Sequence, residues 1–175
     1  DESMNPGAQF PRNSLNEFSA DDVLFWYEDI VQNQDLPNMP RQLAPGGMKV
    51  RIEKINDYQV KFRFENPFPS FALALARFSS GFPMAPQHYL EKWHIKYNKD
   101  AEAIAKEEGF NSWIDAFVFH YNGQTGQNDF DINMPVLKPW KLTRVDEFGN
   151  KFYERNPYYW KVDTEGNQLP YIDRQ

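Results

Sequence analysis

The clearest helical pattern of apolar positions follows Ser19, in the stretch ADDVLFWYEDIVQN. Its apolar side chains recur at helical spacing and form one face, made of Val23, Trp26, Tyr27 and Ile30. Ser19 is a good N-cap residue. Asp21 and Asp22 fall in the first turn, where carboxylates favour the positive end of the helix dipole. The pattern predicts a helix over residues 20–33.

Alternation of apolar and polar residues predicts a β-hairpin further along the chain. Val50, Ile52 and Ile55 belong to a first strand, and Asn56-Asp57 is a candidate for the turn. In the second strand the apolar positions, Tyr58, Val60, Phe62 and Phe64, alternate with polar ones. Such alternation is typical of a strand with one buried face and one solvated face.

Short apolar runs between helix-breaking residues predict several more helices. The stretch FALALARF at residues 71–78 is expected to be a short helix packed in the core. A second helix, PQHYLEKWHIKY, begins at Pro86, because proline is tolerated at the first helical position. Asp100 caps a third, AEAIAKEEG, which ends at Gly109.

The last helix of this group is also bounded by a polar cap and a glycine. Ser112 caps SWIDAFVFHY, and Gly123 ends it. Residues 1–18 and 34–47 are rich in proline, glycine and polar side chains, and loops are expected there.

Strands and turns are predicted in the C-terminal part of the chain. WKLTRVDEF and KFYER are interpreted as two strands joined by a turn at Gly149-Asn150. In residues 156–173, NPYYW turns the chain and anchors it with its rings. Residues 164–167 make a second tight turn, in which Gly or Asn supplies the positive φ. LPYID then leads into the next strand.

Composition narrows the class of protein without identifying a function. The chain has 175 residues, enough for one ordinary domain with a hydrophobic core, and its aromatic share of 17% is high. The net charge of −6 and the pI of about 5.1 predict repulsion of phosphate backbones, so nucleic acid is not an expected partner. The absence of cysteine excludes disulfides, thiolate metal sites and cysteine nucleophiles.

The histidines are interpreted as structural or exposed side chains. His88 and His94 do not have the i,i+4 spacing of a zinc-binding pair. His120 falls late in a predicted helix, where a cation favours the negative end of the dipole. No metal ligand and no cofactor are predicted.

No motif of a known enzyme active site is present. The sequence contains no GxSxG, no HExxH and no glycine loop that would cradle phosphate. Asp21-Asp22 is interpreted as a helix start and Glu107-Glu108 as a solvated face. The sequence therefore predicts that the chain is not an enzyme and has no catalytic residue.

Five tryptophans raise the alternative of a carbohydrate-binding surface, because flat rings stack on sugar faces. Trp26, Trp93 and Trp113 fall on predicted helices beside other apolar residues, so core packing is expected for these three. Trp140 and Trp160 lie near predicted strands and loops, where either role is open.

Four blocks of sequence resemble one family. ERNPYYWKVDTEGNQLPYIDR, FSADDVLFWYEDI, INDYQVKFRFENPFPSFALALA and APQHYLEKWH are similar to segments of the extracellular solute-binding proteins of family 5. These proteins are the oligopeptide- and dipeptide-binding receptors of ABC importers. The blocks occur in the family's order and cover most of residues 18–174, and the last block along the chain is the most specific of the four.

The resemblance implies a fragment of a larger fold. Full receptors of this family are several times longer and have two lobes. We therefore expect an α+β fragment of a type II periplasmic-binding-protein fold, with a β-hairpin or small sheet and several short helices. Residues 1–175 are expected to form one domain. Residues 18–139 would make most of the small subdomain of the N-terminal lobe, and residues 140–175 would return towards the main lobe.

The implied function is capture of peptides outside the cytoplasm for an ABC transporter, in the periplasm or at the cell surface, with lipid anchoring left open. The implied partners are the peptide, the permease and the second lobe of the same receptor. Four aromatic residues are candidates for ligand contact: Trp140, Tyr158, Tyr159 and Trp160. Trp140 stands where the family often has a tyrosine after two glycines that this chain lacks. For Tyr158, Tyr159 and Trp160, attachment of the subdomain to its lobe is the preferred interpretation.

Other functions stay open on the sequence alone. Within the family, the ligand could be an oligosaccharide. A carbohydrate-binding module or glycan-active enzyme would show an exposed row of rings, and the enzyme would also have two facing carboxylates about 5–10 Å apart. A receptor fragment is expected to have largely buried rings and no such pair in a cleft. A purely structural domain would show one apolar patch that is covered in the parent.

Overall fold

The computed structural model of the chain describes residues 18–36, 47–77, 85–125 and 130–175. These ranges contain short helices and two separate antiparallel strand pairs, which confirms the predicted α+β class. The predicted N-terminal loop, apart from residue 18, lies outside the described residues, and so does most of the predicted loop over residues 34–47.

Helix α1 spans Ala20–Phe25, and Ser19 is its N-cap, as predicted. The Ser19 hydroxyl accepts a hydrogen bond from the Asp21 N–H (3.2 Å), and the Ser19 N–H donates to Asp22 Oδ2 (2.7 Å). The two bonds form a capping box, which satisfies donors that a helix start otherwise leaves free. The helical path continues over Trp26–Val31 as a π-helix, which the apolar spacing did not predict.

Strands β1 (Val50–Asn56) and β2 (Gln59–Phe64) form the predicted first hairpin, and they pair antiparallel. Ile52 lies opposite Phe62; Ile52 is buried and Phe62 is half-buried. The Tyr27 hydroxyl donates to the Val50 carbonyl oxygen at 2.5 Å. One face of the hairpin therefore packs against the first helix.

The tip of this hairpin differs from the prediction. Tyr58, assigned to the second strand by its alternation, lies in the turn and is 70% exposed. Ile55 is 57% exposed. The register shifts between Lys54 and Asn56, and such an irregularity turns the tip side chains away from the face that the alternation predicts.

Helix α2 (Phe71–Arg77) follows the hairpin as predicted, but it lies at the edge of the core. The Phe71 ring packs against Phe62 and Phe64, with ring centroids 5.0 and 4.7 Å apart. Leu73 is 61% exposed. The expectation of a helix packed in the core is therefore wrong for this side chain, and the end of the predicted stretch lies outside the described residues.

Helix α3 is shorter than predicted. It spans Gln87–Leu90 and passes into a 3-10 turn over Glu91–Trp93. Pro86 has extended ψ (99°) and is the N-cap, so its prediction as the first helical residue is wrong. His94 is also extended, and its buried ring lies 3.3 Å from the backbone oxygen of Asp29. This tertiary contact accounts for the early end of the helix.

Helix α4 spans Ala101–Glu107 between the two predicted boundary residues. Asp100 occupies the N-cap position, although its side chain makes no capping hydrogen bond. Gly109 has φ +89°, a conformation that favours glycine, and it follows the helix as predicted.

Helix α5 spans Trp113–Thr125. The Ser112 hydroxyl accepts a backbone N–H of the first turn at 3.2 Å, which confirms the predicted cap. The helix continues through Gly123, so the predicted end at this glycine is wrong. A glycine inside a helix costs only about 1 kcal/mol relative to alanine, and packing of the helix can offset that.

Strands β3 (Trp140–Val145) and β4 (Lys151–Arg155) form the predicted second hairpin. Residues 173–175 lie along the other edge of β4. There the Tyr153 N–H donates to the Gln175 oxygen (2.9 Å), and the Gln175 N–H donates to the Tyr153 oxygen (3.0 Å). LPYID was expected to lead into a further strand, and the structure has an isolated β-bridge there, between Glu154 and Arg174.

One five-residue turn occurs twice, at residues 146–150 (DEFGN) and 163–167 (DTEGN). In each, the aspartate Oδ1 accepts the backbone N–H groups of the third and fifth residues, and Oδ2 accepts the asparagine side-chain amide. Gly149 and Gly166 have φ +81° and +86°. Both turns were predicted from their Gly and Asn, but the part played by the aspartate was not.

The main hydrophobic core of the described residues lies between α1 with its π-helical extension, α3, α5 and the first hairpin. Its largest buried side chains are Phe25, Trp26, Ile30, Leu36, Leu90, Trp93, Phe117, Tyr121 and Met134. Trp113 is half-buried against this core, so the predicted core positions of Trp26, Trp93 and Trp113 are confirmed. No helix among the described residues has the length and apolar character needed to cross a membrane.

Candidate functional site

A cleft of about 610 Å³ opens beside α3, the end of α4 and α5. Its lining residues are His88, Tyr89, Lys92, Trp93, Glu108, Phe110, Phe119, His120, Phe130, Asp131, Ile132 and Asn133. Small-molecule sites in proteins typically have volumes of roughly 300–1,000 Å³ and combine aromatic walls with a few polar groups. This pocket, called the His120 cleft below, is therefore the candidate site.

His120 lies at the centre of the polar groups in the cleft and is only 8% exposed. Its Nδ1 lies 2.6 Å from Asp131 Oδ2, and its Nε2 lies 3.2 Å from Glu108 Oε2. The imidazole stacks on the Trp93 ring, with centroids 3.5 Å apart. His120 was interpreted as a side chain late in a helix; α5 continues to Thr125, and the ring lies between two carboxylates that the sequence did not indicate.

Asp131 is buried and accepts three hydrogen bonds. In addition to His120, the Tyr89 hydroxyl donates to Oδ2 (2.6 Å) and the Asn133 N–H donates to Oδ1 (3.0 Å). Burial alone would raise the pKa of Asp131, but the hydrogen bonds from His120 and Tyr89 hold it below its usual range. Burial and the neighbouring Asp131 raise the pKa of Tyr89 far above its usual value, so Tyr89 stays a donor.

Glu108 holds the opposite side of the histidine. Lys92 Nζ donates to its Oε1 (2.8 Å), and Trp93 Nε1 donates to its Oε2 (2.7 Å). Partial burial would raise the pKa of Glu108, but the donors Lys92, Trp93 and His120 hold it below its usual range. Glu107 and Glu108 are both exposed residues, as predicted, although the Glu108 side chain is 29% exposed and bonded to three donors.

This arrangement can hold two ionised carboxylates side by side in an aromatic pocket. The lining contains no serine or threonine that could act as a nucleophile next to His120. No group of three or more His, Asp or Glu side chains in the described ranges is placed to hold a metal ion. The carboxylates and aromatic rings of the lining suit the binding of a ligand through charge and ring faces.

The two other histidines match their predictions. His88 is exposed at the rim of the cleft. His94 is buried, its Nδ1 accepts the Lys96 N–H (3.3 Å), and its ring packs edge-on against Phe117. Burial lowers the pKa of His94, which favours the neutral ring that a structural histidine needs.

The four predicted ligand-contact residues lie elsewhere, in the C-terminal segment, and none lines the His120 cleft. Tyr158 and Trp160 are 74% and 70% exposed, whereas Tyr159 is half-buried with its ring 6.0 Å from that of Trp160. Trp140 is half-buried, and its indole N–H donates to the Ile172 oxygen at 3.1 Å. The four residues therefore share the C-terminal part of the chain, but they do not line one pocket.

The NPYYW turn is held by an amide, in contrast to the expected anchoring by rings. Asn156 is buried, and its Nδ2 donates to the Val136 and Lys138 carbonyl oxygens at 3.1 and 3.0 Å. Its Oδ1 accepts the Tyr158 N–H at 3.0 Å. No role was predicted for Asn156 from the sequence, although an asparagine before a proline is itself a turn signal.

A receptor fragment was expected to have largely buried rings and no pair of carboxylates in a cleft. The structure differs from both expectations. Rings are exposed in the C-terminal segment, including Tyr158, Trp160 and Tyr171. Two carboxylates, Glu108 and Asp131, do line one cleft. A histidine bonded to both stands between them, which is unlike the open space that a glycosidic bond requires.

Comparisons with known proteins separate these alternatives. The Periplasmic alpha-galactoside-binding protein of Rhizobium meliloti (strain 1021) is 31% identical over 163 residues, covering 89% of this chain and 20% of the relative. The oligopeptide-binding protein OppA is 38% identical with a TM-score of 0.70, covering 90% of this chain and 24% of that structure. The periplasmic binding protein MelB of Agrobacterium fabrum C58, in complex with stachyose, is 29% identical with a TM-score of 0.62, covering 91% and 22%.

The chain thus spans about a quarter or less of the length of these relatives. The two solved structures are periplasmic or oligopeptide-binding proteins, in agreement with the fold class predicted from the four sequence blocks. A family model matches residues 4–174, which is nearly the whole chain. The chain belongs to the bacterial extracellular solute-binding proteins, family 5 Middle.

Proposed function

We propose that this chain is part of a receptor that captures peptides outside the cytoplasm and presents them to the permease of an ABC importer. The observation that supports a peptide ligand is the likeness to OppA, with 38% identity and a TM-score of 0.70, against 29% and 0.62 for MelB. The location is supported by the name of the curated relative, which is called periplasmic.

The proposed place of the chain in that receptor is the N-terminal lobe. We assign residues 18–139 to its small subdomain and residues 140–175 to strands that return towards the main lobe. Two observations support this division. The main core cluster contains only residues before 140, with Leu142 buried apart from it in β3, and β3 and β4 pair with each other rather than with the first hairpin.

The exposed rings of the C-terminal segment have a proposed role as a contact surface. We expect Tyr158 and Trp160 to pack against another part of the receptor, with contact to the ligand as the alternative. Their exposure of 74% and 70% supports a partner for this surface. Trp140 and Tyr159 are half-buried and would support the same surface from beneath.

An oligosaccharide ligand is the second candidate. It is supported by two relatives, the alpha-galactoside-binding protein and the structure of MelB with stachyose. Their identities to this chain, 31% and 29%, are lower than that of OppA.

Isothermal calorimetry tests the two candidates. The complete receptor that contains these residues would be titrated with pooled di- to octapeptides and, in parallel, with galactosides and stachyose. Heat from the peptides alone is the expected result, and the isolated 175-residue chain should give little or none because the second lobe is missing. Saturable heat from the sugars alone would reject the peptide proposal in favour of the second candidate.

A further inference from the structure

We propose that the His120 cleft binds a small organic cation, a primary ammonium or guanidinium group carried on an apolar or aromatic stem. This inference goes beyond the proposed function and does not depend on which solute the receptor captures. It rests on three properties of the cleft: unused acceptor positions, ring faces that already hold ammonium groups, and an ion pair that a ligand can displace.

The two carboxylates of the cleft have acceptor positions left. Glu108 accepts from Lys92, Trp93 and His120, and Asp131 likewise accepts three hydrogen bonds from described residues. An ionised carboxylate offers about four acceptor positions. The hydrogen bonds that hold both pKa values below their usual range also keep both groups ionised at neutral pH. Because the Asp131 side chain is only 4% exposed and that of Glu108 is 29% exposed, a ligand N–H group can add to Glu108.

Ring faces in the cleft already bind ammonium groups of the chain itself. Lys92 Nζ lies 4.5 Å from the centre of the Trp93 ring while it bonds to Glu108. Lys151 Nζ, from β4, lies 4.2 Å from the centre of the Phe130 ring at the rim. Cations are attracted to the faces of aromatic rings within about 6 Å. These lysines mark two positions that suit a ligand cation.

The lysine in the cleft is replaceable. The Lys92 side chain is 49% exposed and its partner Glu108 is 29% exposed. Ion pairs this exposed contribute little to stability, so a ligand can take the place of Lys92 at small expense in free energy. The net charge of −6 also favours the approach of a cation.

The same contacts argue against a neutral sugar in this cleft. Sugars need an open ring face for stacking, and the Trp93 ring is covered on one face by the imidazole of His120 at 3.5 Å. Lys92 lies over the same indole at 4.5 Å. An ammonium group that replaces the lysine keeps an ion pair with Glu108, whereas a neutral sugar there would leave that carboxylate without its charged partner.

Three ligands of equal ring size and different charge test the proposal. Benzylammonium, benzyl alcohol and benzoate are titrated into the ¹⁵N-labelled chain, with methyl galactoside as a sugar probe. The readout is the indole N–H signal of Trp93, because this group donates to Glu108. Saturable shifts with benzylammonium alone are expected. Equal shifts with benzyl alcohol, or shifts with the galactoside alone, would overturn the proposal.

Two substitutions should change the affinity in opposite directions. Glu108→Gln keeps an acceptor for Trp93 but removes the charge, and should weaken benzylammonium binding about tenfold or more. Lys92→Met vacates the position of the lysine, and should strengthen binding roughly twofold to fivefold. Glu147→Gln and Lys141→Met make the same changes of charge at exposed sites outside the cleft and should have little effect.

Each of the two substitutions in the cleft can overturn the proposal. If Glu108→Gln folds and binds benzylammonium as tightly as the parent chain, the cation site is not at Glu108 and the proposal fails. If Glu108→Gln does not fold, Lys92→Met carries the test alone. Unchanged or weaker binding by that variant would then overturn the proposal.

Discussion

Buried polar side chains in the described ranges are hydrogen-bonded. Asp29 is buried, and its carboxylate accepts from Lys96 Nζ (2.6 Å) and from the Tyr97 hydroxyl (2.5 Å). Among the described residues, no buried side-chain nitrogen or oxygen lacks a hydrogen bond. Since an unsatisfied buried polar group costs about 1–3 kcal/mol, removing one partner should have a large effect.

The first prediction concerns His120. His120→Ala leaves Glu108 and Asp131 without their shared donor, and should lower the free energy of unfolding by about 2–3 kcal/mol. Urea denaturation followed by circular dichroism measures this change. The control is His88→Ala, an exposed histidine of the same cleft, which should stay within about 0.5 kcal/mol of the parent. Equal effects of the two variants would show that the bridging contacts contribute nothing.

The second prediction concerns acid. Asp131 and Glu108 have pKa values lowered in the folded chain, so their ionised forms stabilise the fold above their unfolded pKa of about 4. That stabilisation is lost as pH falls through the folded-state pKa values. The melting temperature should therefore drop steeply below about pH 4, and Asp131→Asn should flatten the drop. Thermal unfolding across this range, with Glu147→Gln as the exposed control, is the measurement.

Residue roles were predictable where a local rule governs them. Ser19 was found because its capping role depends on the two or three residues that follow. His120 was not found, because its partners Asp131 and Glu108 lie 11 and 12 residues away in opposite directions. Only the packing of α5 against α4 and the following loop brings them together.

Elements were predicted well where turns and alternation define them and less well where tertiary contacts decide their ends. Both hairpins and α1 begin close to the predicted residues. The end of α3 was misplaced because the side chain of His94 is drawn into the core beside Asp29, a contact that no local pattern encodes. The π-helical segment after α1 has no periodic signature of its own in so short a stretch.

The third prediction concerns the repeated Asp-x-x-Gly-Asn turn. Gly149 has φ +81°, and a Cβ there would meet no atom within 4 Å, so any effect of substitution comes from the backbone alone. Gly149→Ala should cost about 1–2 kcal/mol, and Gly149→Asn less, because asparagine tolerates the left-handed conformation. Thermal unfolding measures both. Equal losses in the two variants would contradict this account.

For the whole molecule, the C-terminal segment exposes large rings, and the chain spans about a quarter or less of the length of its relatives. Large apolar side chains in residues 158–172 are exposed, while the core is closed around the helices. The fold class and the family were predictable from the four sequence blocks. The exposure of Tyr158 and Trp160 was not, because a sequence pattern does not say which rings of a turn-rich segment pack against the rest of the chain.

The fourth prediction is that Trp160 dominates the solvent-accessible tryptophan fluorescence of the isolated chain, since it is 70% exposed while Trp26 and Trp93 are buried. Trp160→Phe should remove most of the component that acrylamide quenches easily. Trp113→Phe, at a half-buried position, should leave that component in place. In the complete receptor, where Trp160 is proposed to pack against another part of the protein, acrylamide quenching of Trp160 should be weaker than in the isolated chain. Equal quenching in the two proteins would contradict the proposed contact surface.

The hydrogen bonds around His120 also bear on how long the folded chain persists. The bond from Tyr89 to Asp131 joins residues 42 apart in sequence, and closing so long a loop is entropically unfavourable early in folding. Contacts of this kind are expected to form after the folding transition state, and weakening them mainly speeds unfolding. In stopped-flow experiments, His120→Ala should therefore raise the unfolding rate and leave the folding rate nearly unchanged. The hydrogen bonds around His120 then affect the unfolding rate, and so the lifetime of the native state, more than the folding rate.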